Sequence, residues 1–208
     1  MQLMTDFLYA CLKFDPLAIV QAGGYLAIAI FIFAESGLLI GIFLPGDSLL
    51  FAAGLVAGTG YLSYPVLVVI AVLAAIFGDT TGYWFGKNVG VNFFTREESF
   101  FFKRSYVDRT RAFYEKYGGR AIVLARFVPI VRTVAPIMAG IGKMRYGRFV
   151  SYNTLGGFLW AFGMTSLGYF LGAIIPNSEH YILPLSLVIV ALSFLPLAWN
   201  LLRGRKTL

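Results

Sequence analysis

The sequence predicts an all-α polytopic membrane protein whose transmembrane helices form an inverted repeat with two opposed re-entrant hairpins. Three observations lead to this fold class: the apolar composition, the positions of the basic residues, and the helix-breaking residues inside one apolar stretch. Of the 208 residues, 59% are hydrophobic and only 13% are charged, and the mean hydropathy is +0.77. Soluble domains are less apolar and more charged, so the composition places the chain in a membrane.

Four uncharged stretches are long enough to cross a bilayer, which takes about 20 apolar residues in a helix. They cover residues 16–34, 48–78, 149–178 and 180–202. At 208 residues the chain is long enough for several spans but too short for a separate soluble domain beside them. We therefore expect a single membrane domain over residues 1–208.

The basic residues are concentrated between the apolar stretches. Fourteen of the 17 lysines and arginines lie in residues 87–120, in residues 143–148, and in the tail at Arg203, Arg205 and Lys206. Translocation of basic residues is disfavoured during insertion, so these segments are expected on the cytoplasmic side, together with the C-terminus. This distribution accounts for the net charge of +7 without a nucleic-acid partner.

A fifth apolar stretch, residues 121–142, has cytoplasmic basic residues at both of its ends. It must therefore enter the membrane and return to the same side. Pro129, Pro136, Gly140 and Gly142 supply the breaks that such a hairpin needs. Broken backbone at membrane depth is tolerated only where it is buried in protein or lines a wet cavity.

The two halves of the chain show internal similarity at a shift of 86 residues, at which GYWFG at 82–86 falls on GYFLG at 168–172. The first half then contains a second hairpin at about 35–58, broken at Pro45 and Gly46. One crossing separates the hairpins, so they enter from opposite faces, as in transporters that bind substrate near the midplane. The predicted parts are a first repeat at about 17–86 with a crossing at 61–86, a connection at 87–120, a second repeat at 121–175 and a C-terminal helix at 181–202.

The cytoplasmic connection contains a predicted surface helix. In the segment SYVDRTRAFYEKYGG, Tyr106, Thr110, Phe113 and Tyr117 recur at helical spacing, and charged residues occupy the remaining positions. This pattern is typical of an amphipathic helix that lies in the membrane interface.

Ionisable residues inside the predicted hairpins are the candidate functional residues. Charge at membrane depth costs at least about 2.5 kcal/mol per residue, so such residues usually pair or face water. Arginine suits phosphate and a buried carboxylate can exchange protons, so we expect Arg126 and Arg132 to bind substrate and Glu35 and Asp47 to couple protons. Alternatively, these four residues form ion pairs that only hold the repeats together. Asp79 either joins this network or is an interfacial acid capped by a neighbouring threonine.

Other residue types indicate no further chemistry. Cys11 is the only cysteine and His180, in a predicted outer loop, is the only histidine, so we expect no disulfide, no metal site and no cofactor. Without paired histidines or an acid-rich metal motif, a membrane enzyme such as a lipid phosphatase is disfavoured. Trp84, Trp160 and Trp199 are interpreted as packing or interface residues.

At these residues the chain resembles the DedA family, also described as the VTT-domain group, and is most similar to the branch for which the family is named. The resemblance implies an inner-membrane protein with two opposed re-entrant loops. It also implies a role in undecaprenyl phosphate recycling or in phospholipid translocation or scrambling, with dependence on the proton-motive force. The family's functional acids and arginines fall on Glu35, Asp47, Arg126 and Arg132. The motifs that carry the resemblance are ESGLL from Glu35, FLPGDSLLFAAG from Phe43, GDTTGYWFGK from Gly78, SYVDRTRAFYEKYGGRAIVLARFVPIVRTVAPIMAG from Ser105, and the segment from Asn153 to Gly172.

The leading functional hypothesis is a transporter that moves a lipid phosphate across the inner membrane with proton coupling. Its partners would be membrane lipids, the lipid phosphate and protons, and the sequence leaves a homo-oligomer open. Two alternatives stay open: a cation/proton antiporter or small-solute carrier, and a membrane-assembly factor that does not transport.

Overall fold

A computed structural model describes residues 16–38, 41, 44–90 and 116–174, and the regular structure within these ranges is helical. The predicted C-terminal helix at 181–202, Cys11, His180 and most of the predicted surface helix lie outside the described residues. The helices are α1 (Pro16–Gly37), α2 (Gly46–Gly58), α3 (Tyr64–Phe85), α4 (Arg120–Ala125), α5 (Pro129–Ile141) and α6 (Tyr146–Ile174), and a π-helical turn (Gly86–Gly90) follows α3.

Among the residues that the structure describes, three helices are long and apolar enough to cross a membrane. This finding confirms the prediction of an all-helical, multi-pass membrane protein. The first of them is kinked at Gly24, where the backbone enters the left-handed region (φ +52°) that glycine adopts without strain. The three candidate spans are Leu17–Gly37, Tyr64–Val89 and Tyr146–Ile174.

The uncharged stretch 48–78 is divided between two helices. Helix α2 ends at Gly58, and Gly60 turns the chain with a φ of +86° before α3 begins at Tyr64. The long second part corresponds to the predicted crossing at 61–86. The first part is a helix of 13 residues, too short to cross a bilayer.

The apolar stretch 121–142 is also interrupted. Helix α4 ends at Ala125 and α5, again 13 residues long, begins at Pro129. Pro136 does not break the chain as the sequence predicts, because α5 continues through it. Proline cannot donate to the carbonyl of Arg132 one turn earlier, but membrane helices tolerate this loss where neighbouring groups compensate. The entry and return of both hairpins stay predictions.

The chain forms two compact units, each built from both halves of the sequence. The predicted boundaries of the two repeats stay a prediction. Among the described residues, the first unit contains 16–32, 44–73 and 160–174, and the second unit contains 33–38, 41, 74–90 and 116–159.

In the first unit, α2 and α6 cross with their backbones in contact. A Cβ atom added at Gly54 would meet the carbonyl of Thr165, and one added at Gly168 would meet the carbonyl of Phe51. Phe51 and Leu55 belong to the buried core at this crossing. Small residues permit such close approach between membrane helices, where packing drives association.

In the second unit, α5 crosses the end of α3 and the π-helical turn in the same manner. A Cβ atom at Gly140 would meet the carbonyl of Tyr83, and one at Gly86 would meet the carbonyl of Ile137. Tyr83 is buried in the adjacent core, where its hydroxyl donates a hydrogen bond to the carbonyl of Met144.

The two crossings correspond residue by residue. Gly140 in α5 follows its counterpart Gly54 in α2 by 86 residues, whereas Gly168 in α6 follows its counterpart Gly86 by only 82. The long helices are therefore displaced by four residues, about one helical turn, from the sequence alignment. A pattern of small and apolar residues on a helix matches itself again after a shift of about one turn. Alignment of the two halves therefore could not reveal this displacement. In each crossing, the short helix of one half packs on the long helix of the other half. The inverted repeat stays a prediction.

Replacing Gly168 by alanine is expected to lower the free energy of unfolding by about 1–3 kcal/mol, because the new methyl group must displace backbone at the crossing. Gly163→Ala in the same helix is the matched control, since a Cβ there meets nothing within 4 Å. Thermal unfolding in detergent measures both variants. Equal melting temperatures would show that the glycine contact does not stabilise the first unit.

Candidate functional site

Glu35 and Arg132 form a buried ion pair in the second unit. Glu35 lies in the last turn of α1, and Arg132 lies in the first turn of α5. Arg132 Nη2 donates to Glu35 Oε1, and the carboxylate is 1% exposed. The sequence predicts that both residues belong to a charged site, and the structure brings them together.

The end of α1, which carries Glu35, contacts α3 at a position next to a second acid, Asp79. A Cβ atom added at Gly37 would lie 2.6 Å from the carbonyl oxygen of Gly78. Glu35 is two residues before the first glycine, and Asp79 directly follows the second. On each of the two helices, a buried carboxylate therefore lies within two residues of this backbone contact.

Asp79 forms an ion pair with Arg126, the residue that caps the C-terminal end of α4. Both side chains are almost completely buried. Gly157 of α6 lies beside the guanidinium, since a Cβ atom there would be in ordinary contact, 3.4 Å, with Arg126 Nη2. Of the two interpretations of Asp79 from the sequence, the structure favours membership of the charged network.

Asn153 is a buried polar residue of the second unit that sequence reasoning did not assign to the site. Its Nδ2 donates to the carbonyl of Ile76 at 3.3 Å, one helical turn before Asp79. The side-chain oxygens Oδ1 of Asn153 and of Asp79 are buried without a hydrogen-bond donor in the described ranges. The asparagine near the start of the uncharged stretch 149–178 was the available signal.

Asp47, in the first turn of α2, lies in the first unit and is 9% exposed. Its Oδ1 accepts a hydrogen bond of 2.7 Å from the indole Nε1 of Trp160 in α6. The sequence interpretation of Trp160 as a packing residue missed this polar contact, because the partners are far apart along the chain. Pro45 caps α2 and Gly46 begins it, so the predicted break directly precedes the acid.

The structure shows one Glu–Arg pair and one Asp–Arg pair in the second unit. In the first unit it shows a carboxylate that accepts an indole hydrogen bond. The functional roles of these residues stay predictions. In the part of the chain that the structure describes, no three His, Cys, Asp or Glu residues form a candidate metal site.

Each of the two pairs joins an arginine to a buried carboxylate. Burying each ion costs several kcal/mol, so a buried ion pair is weak evidence for a stabilising role. A phosphate can replace a carboxylate as the acceptor of guanidinium hydrogen bonds, because both offer oxygens in the required geometry. A proton that neutralises the carboxylate has the same effect of releasing the arginine.

Comparison with known proteins gives consistent matches. The family model of the VTT domain matches residues 44–170. The chain is 44% identical over 184 residues to Protein DedA of Escherichia coli (strain K12), covering 88% of this chain and 84% of that protein. It is 34% identical over 176 residues to Inner membrane protein YqjA of the same strain, covering 83% and 80%.

A further relative is an uncharacterized membrane protein of Mycobacterium tuberculosis (strain ATCC 25618 / H37Rv). It is 43% identical over 171 residues, which cover 81% of this chain and 74% of that protein. No solved structure matches the chain.

Proposed function

Because the chain belongs to the DedA family of VTT-domain membrane proteins, we propose that it moves a lipid phosphate across the inner membrane, with the movement coupled to protons. The substrate is undecaprenyl phosphate or a phospholipid. The protein acts as a transporter without a cofactor, not as an enzyme, and its C-terminus is cytoplasmic.

The observation that carries this proposal is the presence in the second unit of two arginines, one buried and one partly buried, that each contact a buried carboxylate. Arg126 and Arg132 bind the phosphate of the lipid, whose tail stays in the bilayer. Only the head group then needs a polar route. Arginine is suited to this task because its planar fork binds phosphate oxygens in pairs.

Proton coupling follows from competition for Arg132. Phosphate and the Glu35 carboxylate compete for the same guanidinium, so protonation of Glu35 favours phosphate binding. When Glu35 loses its proton, it takes back the arginine and the phosphate leaves. Asp79 acts on Arg126 in the same way, and Asp47 is a further proton-carrying group.

The test is lipid flipping by the purified protein in liposomes, measured as exposure of a labelled lipid phosphate to a membrane-impermeant reagent. Arg132→Lys is expected to flip about tenfold more slowly, because lysine keeps the charge but loses the paired hydrogen bonds. Arg145→Lys, at an exposed arginine just before α6, is the matched control and is expected to behave as wild type.

Equal rates for these two variants would remove Arg132 from the mechanism. Dissipation of a pH gradient by wild-type protein in liposomes that lack the lipid phosphate would instead favour a cation/proton antiporter. Neither activity in purified protein would favour an assembly factor.

A further inference from the structure

Trp160 holds a carboxylate that the proposed mechanism uses. Its indole Nε1 lies 2.7 Å from Oδ1 of Asp47, and both side chains are buried. An indole N–H donates one hydrogen bond and accepts none. Trp160 therefore cannot carry a proton itself, but it can fix the orientation of the acid that does.

The backbone around this contact is fixed by the crossing of α2 and α6. Asp47 lies one turn before Phe51, whose carbonyl contacts Gly168. On the opposite helix, Trp160 lies just over one turn before Thr165, whose carbonyl contacts Gly54. Helices that touch through their backbones cannot shift without breaking these contacts, so the two side chains are held in register.

The hydrogen bond to Oδ1 fixes the orientation of the Asp47 carboxylate. Resting on the proposed proton-coupled transport, we propose that Trp160 is a positioning residue that orients Asp47 to receive and release the transported proton. The same hydrogen bond couples the protonation state of Asp47 to α6, the helix against which α2 packs.

Transport with and without an imposed proton gradient tests this inference. Trp160→Phe keeps an aromatic ring but removes the N–H, and the measured quantity is the ratio of the gradient-driven rate to the rate without a gradient. A lower fraction of active protein changes both rates equally and leaves this ratio unchanged. Hydrogen bonds to charged groups are strong enough that the gradient-driven rate is expected to fall about tenfold, with the rate without a gradient retained.

Trp84→Phe is the matched control, because Trp84 is partly exposed and lies in the second unit. It is expected to keep the wild-type ratio. A wild-type ratio in Trp160→Phe would overturn the inference.

A second measurement does not require transport. In a Trp84→Phe/Trp199→Phe background, Trp160 gives the single indole N–H resonance in NMR spectra of the labelled full-length protein. This resonance is expected to move upfield when Asp47→Asn replaces the charged acceptor by a weaker neutral one. An unchanged resonance would overturn the inference.

The two measurements separate failure of this inference from failure of the proposed function. If wild-type protein flips no lipid phosphate, the proposed function is wrong and the indole resonance alone decides whether Trp160 holds Asp47. If wild type responds to the gradient and Trp160→Phe responds equally, the proposed function stands and the positioning role is wrong.

Discussion

Asp79→Ala is expected to lower the free energy of unfolding by about 3–5 kcal/mol, because it leaves the buried Arg126 without its carboxylate. Arg126→Ala removes the other ion and is expected to be costly for the same reason. The double variant is expected to be less destabilised than the sum of the two single variants. Resistance to unfolding by heat or denaturant in detergent measures all three.

Thr81→Ala is the control for this set, since it lies on the exposed side of the same helix and its hydroxyl bonds only within that helix. It is expected to change stability by no more than about 0.5 kcal/mol. Additive effects of the two single variants would contradict the pairing, because independent residues show no interaction energy in such a cycle.

Glu35→Gln is expected to change lipid binding and transport in opposite directions. The neutral amide no longer competes as an anion for Arg132, so affinity for the lipid phosphate should rise about tenfold or more. Gradient-driven flipping should fall by at least about tenfold, because the side chain cannot lose a proton and recover the arginine. Copurified lipid phosphate measured by native mass spectrometry gives the first quantity, and the liposome assay gives the second.

Glu35→Asp retains the charge and is the control, with both quantities closer to wild type. If Glu35→Gln weakened binding and transport together, the carboxylate would be supporting the site rather than competing with the phosphate. That result would argue against exchange between Glu35 and phosphate as the coupling step.

Charge and chain-breaking residues made part of the site predictable from the sequence. Placing an ionised side chain in an apolar segment costs free energy, so Glu35, Asp47 and both arginines could be identified as candidate site residues. Their partners could not be predicted, because they depend on which helices approach one another. Asp79 was therefore left between two interpretations, and the polar contact of Trp160 was missed.

The fold, too, could be predicted only in part from the sequence. Composition and length indicated membrane helices, and Pro129, which begins α5, indicated an interruption that the structure contains. Pro136 misled the prediction, since a proline inside a helix and a proline that ends one look the same in the sequence. The displacement of the long helices by one turn was also hidden, because helical periodicity makes neighbouring registers equivalent.

Packing of each short helix on a long helix from the other half has a consequence for biosynthesis. Asp47 is synthesised 113 residues before Trp160, and Glu35 is synthesised 97 residues before Arg132. At about 5–20 residues per second, Asp47 waits roughly 6–23 s for its donor. The nascent first half must therefore keep two acids in or beside the membrane until the second half supplies these partners.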